Sequence, residues 1–377
     1  MNVLIVSGIW PPDVGGPASH APELAEFLLA RGHRIEAVTT ADRAPAAERY
    51  PVRWTPRRLP VGLRHLHAAA LIAARARRAD VVYSTGMVGR SALAAALTST
   101  PLVLKLTSDP AYERALRYGL HDVPLDRFQA QRGLRLAVLR RLRDFALARA
   151  ARIVCPSRSL SELAAGWGEG GAAGRAQVLP NPVDPPALPP REELRARHAL
   201  SGDTLVFAGR LAPQKSLDVA LRALARLPDV QLVLAGDGPE RQRLHGLATE
   251  LGLDGRVRFL GPQPRQAIFE LLAAADAVVL PSSWENFPHV LVEALAVGTP
   301  VVATDTGGVR EIVDDGVAGL LVPAGDADAL AAAVRRVLGD PELRARLAGA
   351  AAASVARFSP EEVYGRLEQV LTEAAAR

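Results

Sequence analysis

At 377 residues, with 49% apolar and 23% charged residues, the chain has room for two domains and the composition of an ordinary folded protein, which excludes a disordered chain. No run approaches the roughly 18–20 apolar residues of a membrane span, and one cysteine, Cys155, excludes an internal disulfide. Residues 1–185 carry 25 Lys and Arg against 15 Asp and Glu, and residues 186–377 carry 20 against 25, so either the first half meets something anionic or the chain is simply rich in arginine.

Of the 45 basic residues only Lys105 and Lys215 are lysine, which draws attention to both. Cys155 lies in the strand-like RIVCPS and reads as a buried structural thiol, in keeping with a reducing cytoplasm. The opening MNVLIVSGIWPPD has no basic leader and its apolar run ends at prolines, so it reads as a first strand and not as a signal peptide.

In chain order, strands are predicted at 3–8, 34–40, 81–85, 102–107 and 152–157, with helices at 18–31, 64–78 and 127–150 among them. The second half repeats the alternation, with strands at 204–209, 231–236, 257–261, 277–282, 300–305 and 319–323. Near-continuous apolar strands alternating with helices predict parallel sheets covered on both faces. The fold class is therefore α/β, with two doubly wound domains. The stretch PNPVDPPALPP, residues 180–190, cannot enter a sheet or helix interior and reads as a stiff linker. The expected division is 1–185, 191–358, and a last helix over 359–377 that can pack back on the first domain. Ser359-Pro360 supplies that helix's cap and first turn.

Ligands of such sheets bind beyond the carboxyl ends of the strands. After the first strand, Gly15-Gly16 precedes a helix and leaves bare amides for an anion. After TLVFAG, Arg210 and Lys215 leave the strand end and can hold a diphosphate. After AVVLPS comes SWENFPHVLVEALAVG, with Glu285 in a loop, Pro288 near the first helical turn, and Glu293 one to two turns in. Eight helical residues span about 12 Å, too far for the paired acids of a glycoside hydrolase. The distance suits two acids gripping opposite ends of one elongated ligand, with the helix N-terminus between them for a negative group. A nucleotide sugar has that order of groups. Gly307-Gly308, after PVVATD, lets another turn approach the same ligand.

Two literal matches are set aside. GWGEGG at 166–171 fits a dinucleotide fingerprint but follows no strand. Asp326 and Asp328 sit where a helix starts, and capping explains them better than a metal. There is no histidine–cysteine cluster at metal spacing, and His65 and His67 are isolated.

GRLAPQKSL, LAGDGPE, VRFLG, PSSWENFPHVLVEALAVGTPVVATDTGGVREIV and GVAGLLVP together resemble the C-terminal domain of family 4 glycosyltransferases with the GT-B fold. The first half resembles that family more thinly, through PPDVGGPASHAPELAEFLLARGH, CPSRSL and VLPNPVD. The resemblance implies a retaining transferase that uses a nucleotide sugar with UDP or GDP. Glu285 would hold donor-sugar hydroxyls, helped by Asn286, Phe287 and Pro288, with Val290 and Leu291 in the adjoining helical turn. Glu293 would hold the ribose, and Arg210 and Lys215 the diphosphate. Gly15 and Gly16 would approach from the other domain, whose closure would exclude water. Many members carry a histidine near the donor sugar where this chain has Ser108, followed by Asp109. Asp109 is thus a catalytic candidate that would bind either the donor sugar or the acceptor, and Lys105 a group that orients it. No metal or cofactor is expected, since the two cations stand in for one.

Two rival readings share the fold: a nucleotide-sugar epimerase and a non-catalytic sugar-nucleotide-binding protein. Nucleic acid is not an expected partner. Residues 127–152 are rich in arginine, and Leu134, Val138, Leu142 and Phe145 fall on one helical face. That face either packs on the sheet, with a solvated basic back that includes Arg132, Arg135, Arg140 and Arg143, or rests on anionic lipid. The expected location is cytoplasmic, with peripheral contact on the inner membrane face under the second reading.

Overall fold

Two parallel sheets form where the apolar runs stand. The computed structural model describes residues 1–13, 16–46, 48–121, 123, 125–168 and 172–376. Contacts divide the chain into two units: Met1–Pro180 with Val363–Arg377, and Asn181–Glu362. The division falls after Pro180, the first proline of the linker, so the rest of that run belongs to the second unit.

The first unit holds β1 (Asn2–Val6), β2 (Arg34–Ala41), β3 (Val52–Pro56), β4 (Val81–Ser84), β5 (Leu102–Lys105), β6 (Arg152–Cys155) and β7 (Ala176–Val178), in the order β3-β2-β1-β4-β5-β6-β7. The second holds β8 (Asp203–Ala208), β9 (Val230–Ala235), β10 (Val257–Gly261), β11 (Ala277–Leu280), β12 (Val301–Thr304) and β13 (Gly319–Val322), in the order β10-β9-β8-β11-β12-β13. Every ladder is parallel. Sequence reading missed β3 and β7. Both are edge strands, half-exposed, and β3 ends at a proline, so neither is an apolar run.

Alternation within each strand separates two layers in the first unit. Leu4 and Val6 of β1 face helices Val61–Ala76, Val88–Thr98 and Leu134–Arg149. Val3 and Ile5 face the helix Gly16–Ala30 and the last helix, Pro360–Ala375, whose Tyr364, Leu367 and Leu371 are buried there. Cys155 is buried, and burial pushes its thiol up to about 12.

The helix expected over 127–150 is two helices, Leu125–Phe128 and Leu134–Arg149. Gly133 stands between them at φ +149°, a conformation no helix passes through. Leu134, Val138, Leu142 and Phe145, the face expected to pack if the helix covered the sheet, are exposed instead. The packed face is Leu136, Leu139, Arg143, Ala146 and Leu147. Arg143 is therefore buried, not solvated as expected, and Arg140 is occupied by the carbonyl oxygens of Phe128 and Gln131.

Candidate functional site

In the second unit the chain leaves β8 for β9 and β10 on one side, then crosses to β11 on the other. The loops after β8 and β11 thus diverge at the topological switch point, where the sheet leaves room for a ligand. After β8 come Gly209 and Arg210. The Arg210 side chain is exposed and makes no hydrogen bond or ion pair within the described residues. A single turn, Pro213–Lys215, then turns back over β11. The Gln214 carbonyl accepts from the Ser283 amide at 2.9 Å, and the Gln214 side-chain amide donates to the Trp284 carbonyl at 2.7 Å.

This docking delivers Lys215 to Glu285. Nζ donates to Oε1 at 2.5 Å, and the Ser282 hydroxyl donates to the same oxygen at 2.6 Å. The Glu285 side chain is 6% exposed and that of Lys215 19%. Sequence reasoning named both residues but gave them separate tasks; their pairing is what it missed. The Gly307-Gly308 turn is also placed differently from expectation. The Gly308 amide donates to the Glu285 carbonyl at 3.0 Å, so the turn supports the glutamate's backbone. Gly307 is at φ +51°, and a Cβ there would stand 1.8 Å from that carbonyl oxygen.

Pro288 is the N-cap residue of the helix His289–Ala296, one step before the turn expected for it. The helical rise therefore applies only from His289 onward, and Glu285 is held by its own loop. Asn286 is half-buried in that loop. Phe287 is buried, edge-on to His289 and Phe358. Val290 is half-buried in the first turn. Leu291 is wholly buried, with its amide given to the Pro288 carbonyl, so its side chain serves the core. Glu293 lies a turn into the helix and makes no side-chain hydrogen bond within the described residues. Desolvation raises its carboxyl pKa, and the charge of Arg265 opposes the shift. His289 Nε2 meets the Asn181 side chain at 2.7 Å. The VLPNPVD stretch contains Asn181, and nothing in its spacing pointed to this contact.

The arrangement joins a cation and a carboxylate at one strand junction, with a second cation free and exposed. It can hold a polyanion at Arg210 and Lys215, accept hydroxyl hydrogen bonds at Glu285, and accept others at Glu293.

Three expectations in the first unit fare differently. Gly15 lies outside the described residues, and Gly16 begins the helix Gly16–Ala30. Asp109, expected as a catalytic acid, stands in a structural role. It is fully buried, caps the helix Pro110–Arg117 through the Ala111 amide at 2.7 Å, and its other oxygen takes Arg143 at 2.6 Å and Gln129 at 2.8 Å. Both carboxylate oxygens are thus engaged by the protein. Lys105 does not orient Asp109: its Nζ lies 3.5 Å from His20 Nε2. As expected, Asp326 caps a helix, accepting from the Ala329 amide, while Asp328 pairs with Arg226. The last three positions of GWGEGG lie outside the described residues.

Comparison with known proteins agrees with this geometry. Residues 190–354 match the family described as glycosyl transferases group 1, and residues 14–186 match glycosyltransferase family 4. The chain is 43% identical over 164 residues to the lipopolysaccharide core biosynthesis glycosyltransferase LpsE of Rhizobium meliloti, covering 43% of this chain and 48% of that protein. It is 40% identical over 214 residues to the exopolysaccharide phosphotransferase SCO2592 of Streptomyces coelicolor, covering 55% of this chain and 22% of that one. The chain thus spans less than half the length of either relative. Among solved structures, Anabaena Alr3699/HepE in complex with UDP and glucose has a TM-score of 0.79 and 25% identity, covering 98% of this chain and 99% of that one.

Asp109→Ala uncovers a buried arginine and uncaps a helix. Urea unfolding is expected to show a loss of about 3–5 kcal/mol, while the folded fraction binds nucleotide as the parent does. An unchanged unfolding midpoint together with lost activity would restore Asp109 to a catalytic role.

Proposed function

Because the chain belongs to the family 4 glycosyltransferases of the GT-B fold, we propose that it moves a sugar from a UDP- or GDP-linked donor to an acceptor hydroxyl, with retention at the anomeric carbon and without a metal ion. The observation that carries this is the Lys215–Glu285 pair, which sets a diphosphate cation beside a hydroxyl acceptor at the switch point. The HepE structure, which holds UDP and glucose, supports a uridine donor.

Arg210 and Lys215 hold the diphosphate, Glu285 the sugar hydroxyls and Glu293 the ribose. The acceptor oxygen attacks the anomeric carbon on the face the diphosphate leaves. The bond from that carbon to the phosphate oxygen breaks with its electron pair going to the phosphate, and that oxygen takes the acceptor proton. Arg210, Lys215 and the N-terminus of the helix His289–Ala296 stabilise the leaving charge as it forms. Glu285 holds Lys215 in position before the donor arrives, so little reorganisation remains at the moment of transfer.

The first unit supports a peripheral membrane role. Of the twelve large apolar side chains that stand exposed among the described residues, eleven lie in this unit and one, Val317, does not. Leu63, Leu66, Leu97, Leu134 and Leu142 stand on the three helices that cover one face of its sheet. Arg135, Arg141 and Arg149 are exposed on the last of these, and Arg132 is exposed just before it. Leucines among arginines suit an anionic bilayer surface, which takes up both. No helix among the described residues is long and apolar enough to cross a membrane.

Acceptor-dependent release of nucleoside diphosphate from a nucleotide sugar tests the transfer; an epimerised donor, or binding alone, would replace this reading by one of its rivals. With a chelator present, turnover is expected to persist. Lys215→Ala, checked for folding because it strands a buried carboxylate, is expected to lower kcat about a hundredfold by loss of one electrostatic donor. A strict need for a divalent ion, with Lys215→Ala near the parent, would remove the metal-free mechanism.

The two glutamates separate by kinetics. Glu293→Gln is expected to weaken nucleotide binding, since a ribose contact is equal in ground and transition states. Glu285→Gln is expected to lower kcat, since its contact orients the reacting sugar. UDP binding unaltered by Glu293→Gln in calorimetry would disprove the ribose contact.

Co-sedimentation with vesicles containing phosphatidylglycerol is expected at low salt and to weaken at high salt. Leu134→Ser with Leu142→Ser should reduce it without changing the fold, as both side chains are solvent-exposed. No binding even at low salt would favour a purely soluble acceptor.

A further inference from the structure

The first unit has a switch point of its own, between β1 and β4. There the turns after the two strands touch: a Cβ on Gly86 would lie 2.6 Å from the Gly8 amide nitrogen. Over them opens a cavity of about 550 Å³, framed by the carboxyl ends of β1, β2, β4 and β5. Its walls carry Arg64, Arg90, Arg114, Arg117 and Lys105, against a single carboxylate among the described lining residues, Glu113.

These cations lack the compensation found elsewhere in the chain. Arg57, also on the wall, pairs with Asp13 and Asp42. Arg64 donates only to the Arg57 carbonyl, at 3.0 Å, and Arg90, Arg114 and Arg117 pair with no carboxylate among the described residues. Arg90 Nη1 is buried with no hydrogen-bond partner. Burial, then the charges of Arg64 and Arg114, push the Arg90 pKa down to about 10. His65 is lowered by burial and by Arg90, Arg64 and Arg114. Lys105 is 4% exposed, and desolvation pushes it down to about 7. A fold that keeps Lys105 buried and Arg64 and Arg90 half-buried, with Arg114 repelling Arg90 from the rim, carries a standing cost, which a bound anion removes. One carboxylate would offset one of them. A phosphate offers two charges, and three oxygens in the geometry that guanidinium forks match.

We propose that this cavity binds the acceptor, and that the acceptor carries a phosphate or diphosphate held by Arg90 and Arg114, with Arg64 and Arg117 beside them. The word acceptor rests on the transfer reading above; the anion site does not. Arg114 and Arg117 stand on the helix Pro110–Arg117, whose Leu116, with Tyr118 just beyond, is exposed. The phosphate can therefore come from a polyprenyl phosphate at a membrane or from a soluble sugar phosphate.

The test uses the full chain with UDP kept saturating, so that the nucleotide site cannot take the probe. Inorganic pyrophosphate binding is measured by calorimetry. Arg114→Gln and Arg117→Gln, both at exposed positions and safe for folding, are each expected to weaken it roughly tenfold, as loss of a charged hydrogen bond does. Arg90→Met should weaken it further. Arg346→Gln, an exposed arginine of the other unit, should leave it unchanged. No pyrophosphate binding, or equal losses in all four variants, overturns the proposal. Competition identifies the source: displacement by polyprenyl phosphate in neutral detergent micelles, or by a hexose phosphate, supports the site and names its ligand. Equal displacement by the matching unphosphorylated alcohol or sugar overturns it. Failure of UDP binding or of donor turnover, with pyrophosphate binding intact, would instead defeat the transfer reading and leave the anion site standing.

Discussion

The pairing of Lys215 with Glu285 is the constraint around which the second unit's strand ends are arranged. Desolvating two charges costs several kcal/mol for each ion, and their attraction offsets this only with good geometry and further hydrogen bonds. The structure meets both conditions locally. Ser282 supplies the extra donor, and its own carbonyl accepts from the Thr304 hydroxyl at 2.5 Å. Gln214 fixes the lysine's turn against Ser283 and Trp284. Gly308 holds the glutamate's carbonyl, and only a glycine fits at 307. The loops after β8, β11 and β12 are thereby tied together before any ligand is present. A site built this way meets developing charge with groups already in place, the condition under which electrostatic stabilisation counts most.

The broad architecture was legible because parallel sheets buried on both faces demand long apolar runs, and every interior strand is one. What escaped were the two edge strands of the first sheet, β3 and β7, which are half-exposed and carry no such run. The second unit's site was legible for a related reason: its residues sit in the segments that follow two apolar strands, β8 and β11, where the chain turns polar. Arg210, Lys215, Glu285 and Glu293 could each be picked out from that change. Their mutual arrangement could not, because it depends on β8 and β11 being neighbours although β9 and β10 come between them in the chain. The contact of the Gly307-Gly308 turn with Glu285 was hidden for the same reason.

Asp109 shows the opposite limit. It follows a strand end, as a catalytic acid would, but an aspartate just before a proline is also a good helix cap. The residue that decides between the two, Arg143, lies 34 positions away. Nor did the helical spacing around Arg143 help. Leu134–Arg149 presents two stripes of apolar residues, and the one with the larger side chains was the natural choice for the core. The fold buries the other, since burying Arg143 neutralises Asp109, and this leaves Leu134, Val138, Leu142 and Phe145 outside. A charge pair fixed which face of a helix would be wet.

The excess of basic residues in the first half acquires a location from the same reasoning. The two units repeat one architecture, yet treat charge at their switch points in opposite ways. In the second, Lys215 is answered by Glu285, and the loop holding them is tightly bonded. In the first, Lys105 and four arginines that pair with no carboxylate surround an open volume with one carboxylate on its wall, and Arg90 keeps a buried nitrogen without a partner, all among the described residues. Paired charges preorganise a site that must discriminate in the transition state. Unpaired ones raise the free energy of the empty site and return it when an anion enters, which is the arrangement that favours binding. The net charge of a sequence half cannot distinguish scattered solvated arginines from such a cluster. The burial of Arg90 and its repulsion by Arg64 and Arg114 do.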